Sequence, residues 1–594
     1  MRKTFKRILM KSFAVIDLET DPFKRGEMPA AFAGGIYDGK SMMIYWDDKI
    51  PVEGENWYGR KVCHQIVKEA LKRGGTYYLH NGGKFDMFHL LDFLPLDDTK
   101  CVVIGSRIVK LTVKCGKNSP EFLDSYAIIP KALKSWGKKD ISYVLLDRNN
   151  RKKHKLEIID YLKEDLRQLY EMVEQFIGRF GKNLTLASTA FNVMKKQFGV
   201  ELPKSTEWHD SRFRPWYFAG RVQFFSLGRH DGNFEIFDIN SAFPYGMTFP
   251  HWFAPENKEL SRMPKKNREQ CFYIVKCCPG GALPARAENG SVHFPLDKGI
   301  YYACGWELFA GIELGKITQL EILRVFKPTK IRDLGDFVRH FYNAKAKAKA
   351  EGDKATEFFN KIILNAGYGK FGIQPKEFRD VSIRNYRSCP CGQNHVDGPV
   401  CKEGWEISYE DEQRGITFYH RKTSEHTNRP LRFYNVCTAS SITSFVRAML
   451  FKALNSARTP LYCDTDSIIA EKANVPQGMG LGEWKLEMKC DVIWIGGKKL
   501  YVAHNAEKKW EKEKLTKDHF YVKGYGWALH GDFKTAAKGV RLPVLDLISV
   551  CEGEEKSSSF DAPSYSPFSG SRFVSRRINR ADKMKNFSQI SKIS

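Results

Sequence analysis

The chain has 594 residues, long enough for several domains with large cores. Lysine and arginine number 95 against 69 acidic residues, a net charge of +26 that suits a polyanionic partner. The 14 cysteines are scattered through apolar stretches, as at Cys101, Cys437 and Cys463, which excludes a disulfide framework, and no uncharged apolar run is long enough to span a bilayer. The basic start, Met1 to Lys11, lacks a signal-like apolar core, because Lys11 and Asp17 interrupt it. Aromatic residues at 13% fit stacking surfaces for single strands and ordinary cores alike.

In chain order, residues 12–21 (SFAVIDLETD) read as a buried strand ending in acids, with Asp17 and Glu19 on one face. Residues 77–86 (YYLHNGGKFD) predict a second strand, a glycine turn, and a helix opened by Asp86; Asn81 and Phe85 flank that turn. Asp124, Ser125 and Tyr126 follow. Residues 158–166 (IIDYLKEDL) predict a helix on which Tyr161 and Asp165 are neighbours at i and i+4. Each acid alone reads as a surface charge. Together, Asp17, Glu19, Asp86 and Asp165 supply what two-metal phosphodiester hydrolysis requires, with ions about 4 Å apart and Tyr161 placed to orient the attacking water.

Residues about 185–215 predict one helical stretch and then a polar, proline-containing link. In the run WYFAGR, Tyr217 and Gly220 form a turn that a nucleic-acid strand can approach closely, with Arg221 available for phosphate. Residues 234–244 (FEIFDINSAFP) predict a strand ending at Asp238 and a tight turn carrying Ser241 and Phe243. Residues 247–330, rich in Pro, Gly and Cys, carry several short strand patterns. From Asp336 to Gly372 the pattern turns helical, with Phe358, Phe359, Ile362 and Ile363 as a buried stripe and Lys361, Asn365 and Tyr368 on another face. Lys347 and Lys349 of the basic run 344–350 are alternatives for a second phosphate contact, or belong to a solvated face. Cys389, Cys391, His395 and Cys401 have zinc-ligand chemistry at an uncommon spacing, so a zinc site and a metal-free loop both stay open.

Residues 461–469 (LYCDTDSII) predict a hairpin with an acidic tip. On an extended backbone Asp464 and Asp466 would point the same way, towards one divalent ion that resolves their repulsion. The alternative is an exposed Asp-rich turn. Lys499 and Tyr501 follow as a Lys-x-Tyr pair. The basic end, from Lys538 and Arg541 to a Ser-rich stretch and Arg576-Arg577, reads as a small duplex-gripping unit with a disordered tail.

In order, these stretches resemble the motifs of family B DNA polymerases, over roughly residues 12–541. The first three match the exonuclease motifs of DEDDy 3′–5′ exonucleases, and Asp124-Ser125-Tyr126 resembles their single-strand contact more weakly. The run WYFAGR resembles the Tyr-x-Gly-Gly linker. Asp238 to Pro244 resembles Asp-x-x-Ser-Leu-Tyr-Pro, with Phe243 in place of Tyr. Lys361 to Gly369 resembles Lys-x-x-x-Asn-Ser-x-Tyr-Gly, with Ala366 in place of Ser. The Asp-Thr-Asp hairpin and Lys499-Leu500-Tyr501 complete the series. The match is to the protein-primed type of small tailed phages and linear plasmids, since the first motif lies almost at the start and two insertions flank the fingers motif.

The resemblance implies a multidomain α/β and α+β chain. An RNase H-like exonuclease domain would occupy 1–185, and linker and palm start 186–246. A first insertion resembling a terminal-protein region would occupy 247–330, fingers 331–373, a second insertion 374–430, palm 431–530, and thumb and tail 531–594. It implies DNA-directed synthesis with proofreading, strand displacement, and priming by a terminal protein; a repair-like enzyme extending nucleic-acid primers is the alternative. A third reading, a non-enzymatic basic DNA-binding protein, requires seven acidic matches to be accidental. Asp238, Asp464 and Asp466 would hold two Mg²⁺ (or Mn²⁺), and Asp17, Glu19, Asp86 and Asp165 another two. Ser241, Phe243, Lys349, Lys361, Asn365 and Tyr368 would meet the nucleotide, and Asn81, Phe85, Tyr217, Gly220, Lys499 and Tyr501 the DNA. The implied partners are template, primer strand, deoxynucleotides and terminal protein, with no membrane, for a monomer in a host cytoplasm, or in mitochondria if it derives from a linear mitochondrial plasmid.

Overall fold

The computed structural model describes residues 12–581, apart from 25–28, 48–59, 117, 137–139, 375–378, 387, 393–400, 402, 413, 423–433, 509–514 and 524. Among the described residues no helix is long and apolar enough to cross a membrane.

The first third of the chain is built on strand Phe13–Thr20, which pairs in parallel with Thr76–Leu79 and antiparallel with Ala31–Tyr37. Helix Arg60–Arg73 provides the crossover that a parallel pair requires. Thr76–Leu79 in turn pairs in parallel with Glu121–Asp124. The 26-residue helix Lys155–Phe180 lays Ile158, Leu162, Leu166 and Leu169 on one face of this sheet, the i, i+4 stripe its sequence dictates.

The sheet does not stop at the boundary expected for this domain. Its ten strands run on through Thr99–Ile104 to Arg379–Asn385, Ile416–Lys422 and Glu406–Asp411, so the second insertion extends it. The junction is short, with Val381 opposite Cys101 and Ser382 opposite Lys100.

A seven-stranded sheet forms the base of the second half. Strand Gly228–Ile239 lies between Trp484–Gly497 and Ser467–Ala473, and helix Val436–Ser456, buried along most of its length, packs behind the sheet. The first insertion is a four-stranded antiparallel sheet with helix Gly305–Glu313. The fingers are two helices, Gly335–Ala350 and Lys354–Gly369, rather than one run; Asp353 caps the second by accepting from the Thr356 N–H at 2.9 Å. Their apolar face meets the long helix, with Phe359 against Phe176 at 5.3 Å between ring centroids.

The connector holds two helices, Leu186–Gln197 and Glu207–Phe213, where the sequence predicted one. Thr206 caps the second through the His209 N–H, a signal available in the sequence. At the C-terminal end, helix Val544–Glu552 is followed by hairpin Glu555–Ser566/Gly570–Asn579, so the Ser-rich stretch is a strand and not part of a tail; residues 582–594 lie outside the described residues. The hairpin tip returns to the N-terminal half: Tyr565 lies 5.1 Å from Phe88 and 5.7 Å from Phe85 between ring centroids.

Candidate active sites

Three of the four N-terminal acids gather in one place. Asp17 and Glu19 come from one strand and Asp165 from the long helix, with ligand atoms within 4.8 Å of one another. Asp86 opens helix Asp86–Leu90 and is buried. Burial, then the charge of Asp17, pushes its carboxyl well above the usual carboxylate range. Asp17 is half-buried and the other three acids are buried, and crowded carboxylates of this kind offer the oxygen donors that a cation site requires. The turn before Asp86 is tight: Asn81 sits at φ 61, and a Cβ on Gly83 would lie 1.7 Å from the Ile108 carbonyl oxygen. Asp124 is buried beside it, accepting from Arg107 Nη1 at 2.5 Å and from the Tyr126 N–H at 2.9 Å. Arg107 also donates to Asn81 Oδ1 at 2.9 Å and lies over the Tyr126 ring. Phe85 is half-buried, packed on His89 and Tyr565.

The second site forms where strand Gly228–Ile239 runs beside the acidic hairpin. Asp238 stands opposite Ser467, and the Ile239 N–H donates to the Asp466 carbonyl at 2.8 Å. This register puts Asp238 at the hairpin tip. Burial pushes the Asp238 carboxyl up to about 6, helped by Glu487 and opposed by Lys534 and Lys485. Burial, then Asp238 and Asp464, pushes Asp466 up to about 7.

The expectation that Asp464 and Asp466 share a face as residues of one extended strand does not hold. Asp464 ends one strand, Ser467 begins the next, and Thr465, at φ 63, turns the chain between them. Asp464 is turned to Lys499, whose Nζ lies 2.5 and 2.6 Å from its two oxygens. Lys499, expected to meet DNA, is therefore engaged within the site. Its own N–H donates to the Tyr462 hydroxyl at 2.9 Å. Tyr501, also expected to meet DNA, is buried against Tyr462 at 5.2 Å between ring centroids.

Above the carboxylates, Ser241 adopts φ 55 and starts helix Ala242–Gly246. Phe243 stacks on Tyr368, ring centroids 4.3 Å apart and planes 8° from parallel. Lys361 and Asn365 are exposed on the same helix face, as the motif requires. Of the other lysines, Lys347 leans to Glu351 at 3.7 Å. Sequence reasoning missed Lys345, half-buried over the Tyr342 ring; burial, then Lys361, holds its ammonium below the usual range. Its position four residues before Lys349 was the available signal.

The connector is fixed to the hairpin. The Arg221 carbonyl accepts from the Thr465 N–H at 2.6 Å, and a Cβ on Gly220 would meet Thr465 at 2.8 Å. Arg221 is not available for phosphate: it is buried, donating to Gln223 and to the Gly281 carbonyl. Arg447, which no sequence pattern singles out, grips Glu307 and the carbonyls of Phe218 and Ala219 from 2.6 to 3.0 Å. Tyr217 lines a cavity of about 1360 Å³ with Arg214, Arg286, Lys370 and Arg379.

In the second insertion Cys389, Cys391 and Cys401 come together; His395, the fourth expected ligand, lies outside the described residues.

A relative 34% identical over 508 residues, 85% of each chain, is the DNA-directed DNA polymerase of Enterobacteria phage PRD1. The chain belongs to the family B DNA polymerases. A profile of DNA polymerase type B, organellar and viral, matches residues 138–410. A probable DNA polymerase of Agaricus bitorquis is 22% identical over 570 residues, covering 77% of this chain and 68% of that one. The fold is that of Phi29 DNA polymerase: its complex with primer-template DNA and incoming nucleotides superposes with a TM-score of 0.69 at 15% identity, over 96% of this chain and all of that one. Its complex with single-stranded DNA gives 0.66 over the same shares. The family B polymerase is of the protein-primed group that its motif order resembles.

Proposed function

We propose that Asp238 and Asp466 hold the divalent ions of nucleotidyl transfer, Mg²⁺ by preference, and that Asp17, Glu19, Asp86 and Asp165 hold those of a proofreading exonuclease. The observation that carries this reading is the register pairing Asp238 with Ser467, which joins two half-buried acids whose affinities for a proton are both raised. Oxygen donors of this kind suit hard cations. When bound, such ions activate a primer hydroxyl or a water and neutralise charge on phosphate.

The remaining work falls to the chain. Lys361, Lys345 and Lys349 give the fingers a positive face for the triphosphate, and Asn365 lies on that face. The stacked Phe243 and Tyr368 form a flat wall against the sugar and nascent pair. Lys499 holds Asp464 in place, and Tyr501 stiffens Tyr462 behind it. In the exonuclease half Tyr161 orients the attacking water, and Asn81 and Phe85 border the path of the strand. Tyr217 and Gly220 guide the template, with the basic residues around the 1360 Å³ cavity on its way.

DNA template, primer and deoxynucleotides are the substrates. A separate terminal protein supplies the first hydroxyl and docks on the insertion at 247–330, while the insertion at 374–430 and the thumb at 531–594 enclose the duplex. The chain acts as a monomer in the cytoplasm of the host of a linear replicon. Zn²⁺ is assigned separately, to the cysteine cluster. The deciding experiment is nucleotide incorporation by Asp464→Asn plus Asp466→Asn. Loss of incorporation with DNA binding retained is expected; undiminished incorporation would sink the metal assignment.

A further inference from the structure

Cys389 and Cys391 lie just after strand Arg379–Asn385, and Cys401 just before strand Glu406–Asp411. In space they converge. The Cys389 sulfur lies 3.7 Å from that of Cys401 and 3.2 Å from that of Cys391. A disulfide would need about 2.05 Å. Around a tetrahedral ion with metal–sulfur bonds of about 2.3 Å, sulfurs stand about 3.8 Å apart. The larger separation matches that edge, and the smaller lies nearer to it than to a disulfide.

Tight turns hold two of the three cysteines. Cys389 and Cys401 each open a turn closed by a glycine three residues on: the Gly392 N–H donates to the Cys389 carbonyl at 2.9 Å, and the Gly404 N–H to the Cys401 carbonyl at 2.7 Å. Both glycines need positive φ, 81° and 74°. Backbone N–H groups of Glu403 and Trp405 donate to the Cys401 sulfur, and that of Cys391 to the Cys389 sulfur. Tyr419 and Trp405 wall the group, and Cys389 and Cys401 are buried.

We propose that Cys389, Cys391 and Cys401 bind Zn²⁺ as three thiolates, and that the ion fastens the root of the second insertion. The place explains the need. The link from residue 385 to 406 spans two strands that are not neighbours, since Ile416–Lys422 lies between them. One of these strands carries the short junction to the exonuclease sheet, and the other reaches the C-terminal hairpin, where Ser408 Oγ donates to the Pro567 carbonyl at 3.1 Å. Three thiols lose three protons as the ion binds, so its affinity falls in acid. The metal site stands independently of the polymerase reading; only its effect on synthesis rests on that reading.

The test is metal content of the full chain, purified without chelator, as wild type, Cys389→Ser, Cys401→Ser, and Cys115→Ser as an exposed control. About one zinc per chain is expected in wild type and control, and under a tenth of that in the other two. Removing zinc should lower the melting midpoint and shorten strand-displacement products while filling of a short gap continues. Should the serine variants fail to fold, Co²⁺ added to stripped wild type must give thiolate charge-transfer absorption. Wild type that neither carries zinc nor shows that absorption overturns the site, as does a disulfide within the cluster. Zinc loss without a shift in melting overturns the fastening role.

Discussion

Phe243 and Tyr368 lie ring on ring, 4.3 Å apart, and join the first polymerase motif to the fingers. The family's tyrosine is phenylalanine here, and its ring stacks on Tyr368 with planes 8° from parallel. Phe243→Val should therefore raise ribonucleotide incorporation relative to deoxynucleotide by about 10-fold or more, the order expected when one wall of a binding pocket is cut back. Phe243→Tyr should change the ratio little. The measurement is the ratio of kcat/KM for dCTP and CTP.

Lys499 and Asp464 make a second prediction. Because Asp464 is held by Lys499, it is less available to an ion than Asp238 or Asp466. Asp238→Asn and Asp466→Asn should each lower kcat for incorporation by about 1,000-fold or more, about 4 kcal/mol of barrier. Asp464→Asn and Lys499→Met should each cost about 10- to 100-fold. Equal losses at all three acids would place Asp464 on an ion as well.

The metal-free protein should respond to pH through the same acids. The ordinary carboxyl value is 3.8, against about 6 for Asp238 and about 7 for Asp466 in the folded chain. Between those limits the folded state keeps protons the unfolded chain has released, so stability falls as pH rises from about 4 to 7. In chelator, Asp466→Asn should melt higher than wild type at pH 8 and match it near pH 4. Mg²⁺ affinity should rise over pH 6–8, read by calorimetry.

The exonuclease acids predict a separation of activities. Asp17→Ala plus Glu19→Ala should abolish 3′–5′ degradation of single strands and leave primer extension within about two-fold. Asp165→Ala alone should do nearly as much, since its oxygens share the same site. Degradation that persists in the double variant contradicts this assignment.

Much of this was legible in the chain because motif residues sit at element ends, where local pattern is strong. Asp86 opens a helix and Asp238 stands one residue from the end of its strand, where turns and apolar runs announce them, while Asp17 lies mid-strand in an apolar run. The hairpin at Asp464 was visible, but its geometry was not: strand periodicity stops at a turn, so Thr465 breaks the shared face that spacing implied. Long-range partners leave no local trace. Nothing around Arg447 or Arg221 marks them as buried, and the burial follows from Glu307 and Gly281 far along the chain. The joining of residues 379–422 to the exonuclease sheet is equally nonlocal, resting on a pairing with Cys101.

The most direct test is extension of one primer on circular single-stranded DNA with Mg²⁺ and all four deoxynucleotides, by wild type beside Asp466→Asn. Products longer than the circle from wild type, and none from the variant, are predicted. Extension that is the same in both would contradict the active site assigned to Asp238 and Asp466.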